Sequence, residues 1–146
     1  MTVAAGWWGP QVLDAVRAAG VETEAPGDPT PVGAAGGELA RVARVVDGDT
    51  LLLVGGERVR LLNIDAPEMP ARASCEREAA LALEAKARLE NLAPAGAAVT
   101  LRRDGEDRDR YGRLLRRLEV DGEDVGQRLT REGLAQTWRG RKAQWC

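Results

Sequence analysis

Asp49-Thr-Leu-Leu-Leu-Val54, Gly55-Gly56, Arg58-Val-Arg-Leu-Leu-Asn-Ile64 and Asp65-Ala-Pro-Glu68 stand in close succession, and this stretch decides the fold. Two aliphatic runs around a Gly-Gly pair spell a hairpin, because glycine accepts the positive φ that tight two-strand turns demand. Pro67 has no N–H to give a neighbouring strand, so pairing should stop at Asp65-Ala-Pro-Glu68. Upstream, Leu39-Ala-Arg-Val-Ala-Arg-Val-Val46 reads as a further strand, broken at Asp47-Gly48. The three runs make a meander.

Downstream the period changes. Ser74 is expected to cap a helix whose first turn carries Glu76 and Glu78, where the helix dipole favours acids. Its buried stripe is expected to comprise Ala79, Leu83 and Ala87 with Ala82 and Leu89, ending before Pro94-Ala-Gly96. Ala98 to Arg103 reads as a fourth strand, the charged run Asp104 to Arg110 as a loop, and Gly112 to Val120 as a fifth strand. Val125 to Glu132 is a short second helix stopped by Gly133. The fold class is α+β, mainly β: a five-stranded antiparallel OB-type barrel, with one helix between strands 3 and 4 and another after strand 5.

The 146 residues suffice for one core, and the absence of Phe leaves Leu, Val and Ala to fill it. Residues 1–38 differ in composition, with a short helical spacing in Pro10 to Arg17 followed by a Pro/Gly-rich linker. Residues 39–146 form the expected functional domain. The head carries a net −4 of the chain's −2, leaving the body at +2 with mostly Arg as its bases. The overall balance argues against a purely electrostatic nucleic-acid binder, while the basic body hints at an anionic ligand.

There is no His, so the commonest general base, the usual zinc ligands and a Ser-His-Asp triad are excluded. Two cysteines cannot build a tetrahedral thiolate site. No apolar run approaches membrane-spanning length, and the first residues lack the basic start and Leu-rich stretch of a signal peptide. The chain as written is expected in the cytoplasm, as a monomer, or secreted or periplasmic if the true start lies upstream.

Asp49 opens one strand of the hairpin and Asp65 ends the other, so their carboxylates fall near the same end of the ladder. Converging carboxylates repel unless a hard cation such as Ca²⁺ neutralises them. Glu68, beyond the rigid Ala-Pro, reaches the same place. Asp47, before Gly48, reads as a turn former, and that reading stays open for Asp49 and Asp65. Counting by twos puts Arg60 on the face of Leu62 and Ile64, where a guanidinium needs an anion to offset its desolvation. Arg113 by itself reads as a surface charge.

Val46-Asp-Gly-Asp-Thr50, Arg60-Leu-Leu-Asn-Ile-Asp-Ala-Pro-Glu68, Asp109-Arg-Tyr-Gly-Arg113 and Leu129-Thr-Arg-Glu-Gly-Leu-Ala135 resemble, in this order, motifs of the thermonuclease (staphylococcal-nuclease-like) family. The likeness runs from about Arg41 to Ala135. It implies that Asp49, Asp65 and the backbone carbonyl of Ala66 bind Ca²⁺, and that Glu68 is general base toward the attacking water. It implies that Arg60 and Arg113 hold the phosphate and stabilise the phosphorane, with Asp109, Arg110 and Tyr111 beside the substrate's phosphates. DNA, RNA or both would be the substrate. Ala66 stands where such proteins often have Thr, a change that a carbonyl ligand tolerates. Longer members continue into a C-terminal helix, whereas this chain runs Trp138-Arg-Gly-Arg-Lys-Ala-Gln-Trp-Cys146; the aromatic residues that stack on a base in such members have no clear match here, although Trp138 is nearby. Cys75 and Cys146 are left open between a disulfide tethering the tail and two free thiols. Two other functions compete with a nuclease: a catalytically silent OB-type module that binds nucleic acid or protein, and an interaction domain acting through the Trp-containing head.

Overall fold

The computed structural model describes residues 37–146. Strand β1 (Gly37–Asp47) pairs antiparallel with β2 (Thr50–Leu53), and β2 with β3 (Arg58–Leu61). Gly55 and Gly56 turn this hairpin with φ of 110° and 102°, values that a side chain would make costly. Strand β1 bends through register shifts between Val42 and Arg44 and between Val45 and Asp47. Its first half can therefore pair with β5 (Ala98–Arg102) while its second half serves β2. The fourth strand thus crosses to β1 instead of extending the meander.

Strand β6 (Leu114–Val120) pairs antiparallel with β5 and closes the barrel by running parallel to β3, with Arg60 opposite Leu115. This corrects one detail of the expected all-antiparallel barrel, for a geometric reason. Around a closed ring of five strands, directions cannot alternate throughout, so one seam must be parallel. The short β7 (Glu123–Asp124) pairs with the far end of β6. Leu51, Val59, Leu61, Val99, Leu101 and Leu118 point inward and are almost wholly buried. Alternation along each strand supplies this core, and the absence of Phe leaves it to branched aliphatic residues.

Helix α1 (Glu76–Leu92) packs on the barrel with only part of the expected stripe, Ala82 and Leu89. Glu78, Ala82, Ala85 and Leu89 are buried, whereas Leu83 is 51% exposed. The expected Ala79–Leu83–Ala87 row lies about one residue round the helix from the contact face. Small Ala82 and Ala85 allow a close approach. A Cβ on Gly48 would lie 2.8 Å from that of Ala85 and 2.9 Å from that of Ala66. Nor does Ser74 cap the helix. Cys75 occupies the cap position without a side-chain bond, and the Glu78 carboxylate instead accepts the Ser74 N–H at 2.8 Å. An acid three residues inside a helix can reach back in this way.

Helix α2 (Val125–Arg131) is capped by Asp124, which accepts the Gln127 N–H at 3.0 Å. Arg88 of α1 and Arg128 of α2 share Glu132 at 2.7 and 2.8 Å, and their hydrogen bonds hold its carboxyl down to about 2. After α2 the chain returns to the barrel. Strand β8 (Gln136–Thr137) pairs with β4 (Ile64–Asp65), and the Trp138 N–H donates to the Asn63 carbonyl at 2.9 Å. The tail then runs to α1, where Cys146 forms a disulfide with Cys75 across a sequence separation of 71. The expected helix at Pro10 to Arg17 lies outside the described residues. Among the described residues no helix is long and apolar enough to cross a membrane.

Candidate active site

The turn from β1 into β2 builds the first wall of the site. Asp47 accepts the Asp49 N–H at 3.1 Å, which makes it the turn former its position before Gly48 implies. Its carboxyl also faces the cavity, where burial, and then the charge of Asp49, push it up to about 6. Asp49 accepts the Thr50 hydroxyl at 3.0 Å on one oxygen and the Ala66 N–H at 3.3 Å on the other. Its own carbonyl accepts the Leu61 N–H at 2.8 Å, so the hairpin ladder fixes it against β3.

Arg60 lies opposite Thr50 in that ladder, with its guanidinium 3.7 Å from Asp49 and 3.9 Å from Asp65. The expected face was wrong. Val59 and Leu61 point into the core, so Arg60 points out of it toward the barrel rim. Ile64 is buried only because the chain breaks between β3 and β4, where Asn63 adopts φ 69° and resets the alternation. What offsets the half-buried guanidinium is nevertheless the anticipated anionic partner, here two carboxylates. Asp65 is 2% exposed, which makes this an ion pair mostly withdrawn from water.

Arg113 enters from the loop before β6. Its Nε donates to Asp109 at 2.8 Å and its terminal nitrogen to Thr50 at 3.1 Å. Asp109 also accepts the Tyr111 and Arg113 N–H groups at 2.9 Å. Burial works to raise the Asp109 carboxyl, but these donors win and hold it below its ordinary value. Asp109 therefore anchors the loop behind Arg113 and does not line the cavity. Arg110 and Arg113 stand over the Tyr111 ring at 5.1 and 5.6 Å, and Arg58 donates to the Tyr111 carbonyl at 3.0 Å.

Glu68 is positioned through its backbone, whose N–H donates to the buried Glu78 carboxylate at 2.8 Å. The Ser74 and Glu68 N–H groups together keep Glu78 below its ordinary value despite its burial. The Glu68 carboxylate pairs with Lys142 and lies 3.8 Å from Arg72. Lys142 also lies 3.6 Å from Asp65, and the Ala143 N–H donates to Asp65 at 2.8 Å.

Asp49, Arg60, Asp65, Ala66, Glu68, Arg110, Tyr111 and Arg113 thus line one cavity of about 710 Å³. Asp47, Arg58, Arg72 and Lys142 join them without having been expected there, and Trp138 closes one side. Asp47 was within reach of a sequence argument, standing two residues from Asp49. Nothing local marks Lys142, because the route of the tail brings it in. Among the described residues no three His, Cys, Asp or Glu side chains form a group able to hold a metal ion. The expected donors, Asp49, Asp65 and the Ala66 carbonyl, include only two carboxylates and all line the cavity. Such hard oxygens, completed by water, suit a cation like Ca²⁺ that tolerates irregular coordination.

A small closed β-barrel thus carries two guanidinium groups and nearby carboxylates on one rim. Residues 58–144 match the model of the staphylococcal nuclease homologue family, and the chain belongs to that family. It is 33% identical over 118 residues to Endonuclease YhcR of Bacillus subtilis (strain 168), covering 75% of this chain and 10% of that protein. It is 37% identical over 95 residues to Endonuclease YncB of the same organism, covering 63% of this chain and 44% of YncB. With the Thermonuclease of Staphylococcus intermedius it shares 36% identity over 104 residues, covering 68% and 59% of the two chains. The chain therefore spans less than two thirds of the length of each of these relatives.

Proposed function

We propose that this protein is a Ca²⁺-dependent nuclease that hydrolyses phosphodiester bonds of DNA, RNA or both, and that residues 39–146 are its catalytic domain. The supporting observation is Arg60 standing 3.7 Å from Asp49 and 3.9 Å from Asp65 in the cavity that Glu68 and Arg113 also line. Residues 1–38 are an extension that catalysis does not need. The same reading makes the protein a monomer and leaves cytoplasm or export open.

Asp49, Asp65 and the Ala66 carbonyl would hold the cation. When bound, it supplies Lewis-acid polarisation of the phosphate and neutralises charge that accumulates on the equatorial oxygens. Glu68 accepts the proton of the attacking water, held at the right depth by the Glu78 clamp on its backbone. Arg60 and Arg113 donate in-plane pairs of hydrogen bonds to the phosphate oxygens, strongest in the pentacoordinate state where a second negative charge has developed. Arg60 reaches the phosphate by leaving acids that the cation would neutralise, whereas Arg113 gives up Thr50 and stays braced by Asp109. Arg110 and Tyr111 line the path of the flanking nucleotides. The Endonuclease and Thermonuclease names of the relatives support the activity.

The test incubates the purified protein with single-stranded DNA, with Ca²⁺ and then with a chelator, beside a Glu68→Ala variant. Cleavage that requires Ca²⁺ and falls on substitution is expected. Cleavage indifferent to both would end this mechanism, and binding without cleavage would favour a silent OB-type module.

A further inference from the structure

Between Trp138 and Cys146 the chain forms a strap fixed at three points. Trp138 donates to Asn63, Ala143 donates to Asp65 at 2.8 Å, and Cys146 is bonded to Cys75 at the start of α1. The strap crosses the barrel rim directly over the carboxylates, with Lys142 at its middle. The Lys142 ammonium is paired with Glu68 and lies 3.6 Å from the Asp65 oxygen that Ala143 does not use. A single cation thus joins the candidate metal ligand to the candidate base.

We propose that Lys142 is a tethered cation that balances this carboxylate cluster when no metal is bound, and that Ca²⁺ must displace it. The inference rests on the metal site proposed above. Electrostatics supports it from the lysine's side. Its ammonium stands between the Glu68 and Asp65 carboxylates at the cavity that Asp49 also lines. Two acids of the site therefore share one ammonium. The Lys142 side chain is 56% exposed, so it can swing into water when a divalent ion arrives. The Ala143 N–H is different in kind. It takes one Asp65 oxygen, leaves the other facing Lys142 and Arg60, and fixes the carboxylate's orientation, so the strap both prepares a ligand and guards it.

Lys142→Met keeps the length of the side chain and removes the charge, and Lys142→Arg keeps the charge. Calorimetric titration of each full chain with CaCl₂, after chelator treatment, reads the competition without any substrate. Lys142→Met should bind Ca²⁺ about threefold to tenfold more tightly than the parent, a modest gain because the pair is partly solvated. Lys142→Arg should stay close to the parent. In the metal-free state Lys142→Met should also melt lower than Lys142→Arg. Equal or weaker Ca²⁺ affinity in Lys142→Met, with the parent binding normally, overturns the displacement and leaves the metal site standing. No saturable binding by any of the three proteins overturns both.

Discussion

The buried carboxylate of Glu78 accepts the backbone N–H of Glu68 at 2.8 Å, so a residue of helix α1 sets the depth at which the candidate base enters the cavity. Glu78→Gln keeps the volume but turns one oxygen into a donor facing a donor. That change should cost about 1–3 kcal/mol of stability. The sign of the pH dependence follows from the depressed folded-state value. The contribution is complete above the ordinary value of 4.5 and disappears as pH falls through the lower folded value. Melting temperatures taken at intervals from neutral to acid pH should converge for parent and variant at the acid end. Curves that stay parallel throughout would refute the clamp.

Gly48 offers a steric prediction. An added Cβ meets Ala85 at 2.8 Å and Ala66 at 2.9 Å, both on packed elements with no room to yield. Gly48→Ala should cost about 1–3 kcal/mol, as overpacking commonly does. Because Ala66 and Asp49 flank the same spot, Ca²⁺ affinity measured by calorimetry should weaken as well. Full affinity together with full stability would contradict the packing described for this turn.

Arg60→Lys and Arg113→Lys each replace a planar fork by a point charge. If both act chiefly on the pentacoordinate state, kcat should fall about 100-fold or more with little change in KM, equivalent to roughly 3 kcal/mol. Steady-state kinetics on a single-stranded oligonucleotide would show it. A rise confined to KM would reassign the residue to ground-state binding.

The disulfide bridges a sequence separation of 71, which in the chain-entropy account is worth about 4 kcal/mol at room temperature. Treatment with a thiol reductant should lower the melting temperature and make the strap from Trp138 to Cys146 sensitive to protease. An unchanged melting temperature after verified reduction would show that β8 and the Ala143 contact hold the strap unaided.

The hairpin from Asp49 to Ile64 was legible because its signals are local: alternation, a Gly-Gly turn and a proline stop. The two helices among the described residues, α1 and α2, were legible in extent for the same reason. The face of α1 was legible only in part: Ala82 and Leu89 fell on it, but Glu78 and Ala85 did not, since the contact depends on how closely Gly48 admits Ala85. Arg60 illustrates the limit most clearly. Counting by twos carried it across a break at Asn63 that interrupts the count, and so put it on the wrong side of the strand. Asp49, Asp65, Glu68 and Arg113 were brought together on paper by the order of motifs. Lys142 was not, because a tail crossing the rim is set by a distant disulfide and a two-residue strand.

The parallel seam between β3 and β6 has a further effect on the chemistry. Arg60 stands within one of these strands and Arg113 immediately precedes the other, aligned by the pairing of Val59 with Leu114. Sliding one strand by a single pleat repeat would part the two guanidinium groups by roughly 7 Å, more than the width of a phosphate. The gap between them is thus gauged by ladder hydrogen bonds, and the arithmetic of an odd-numbered ring doubles as a caliper for the anion.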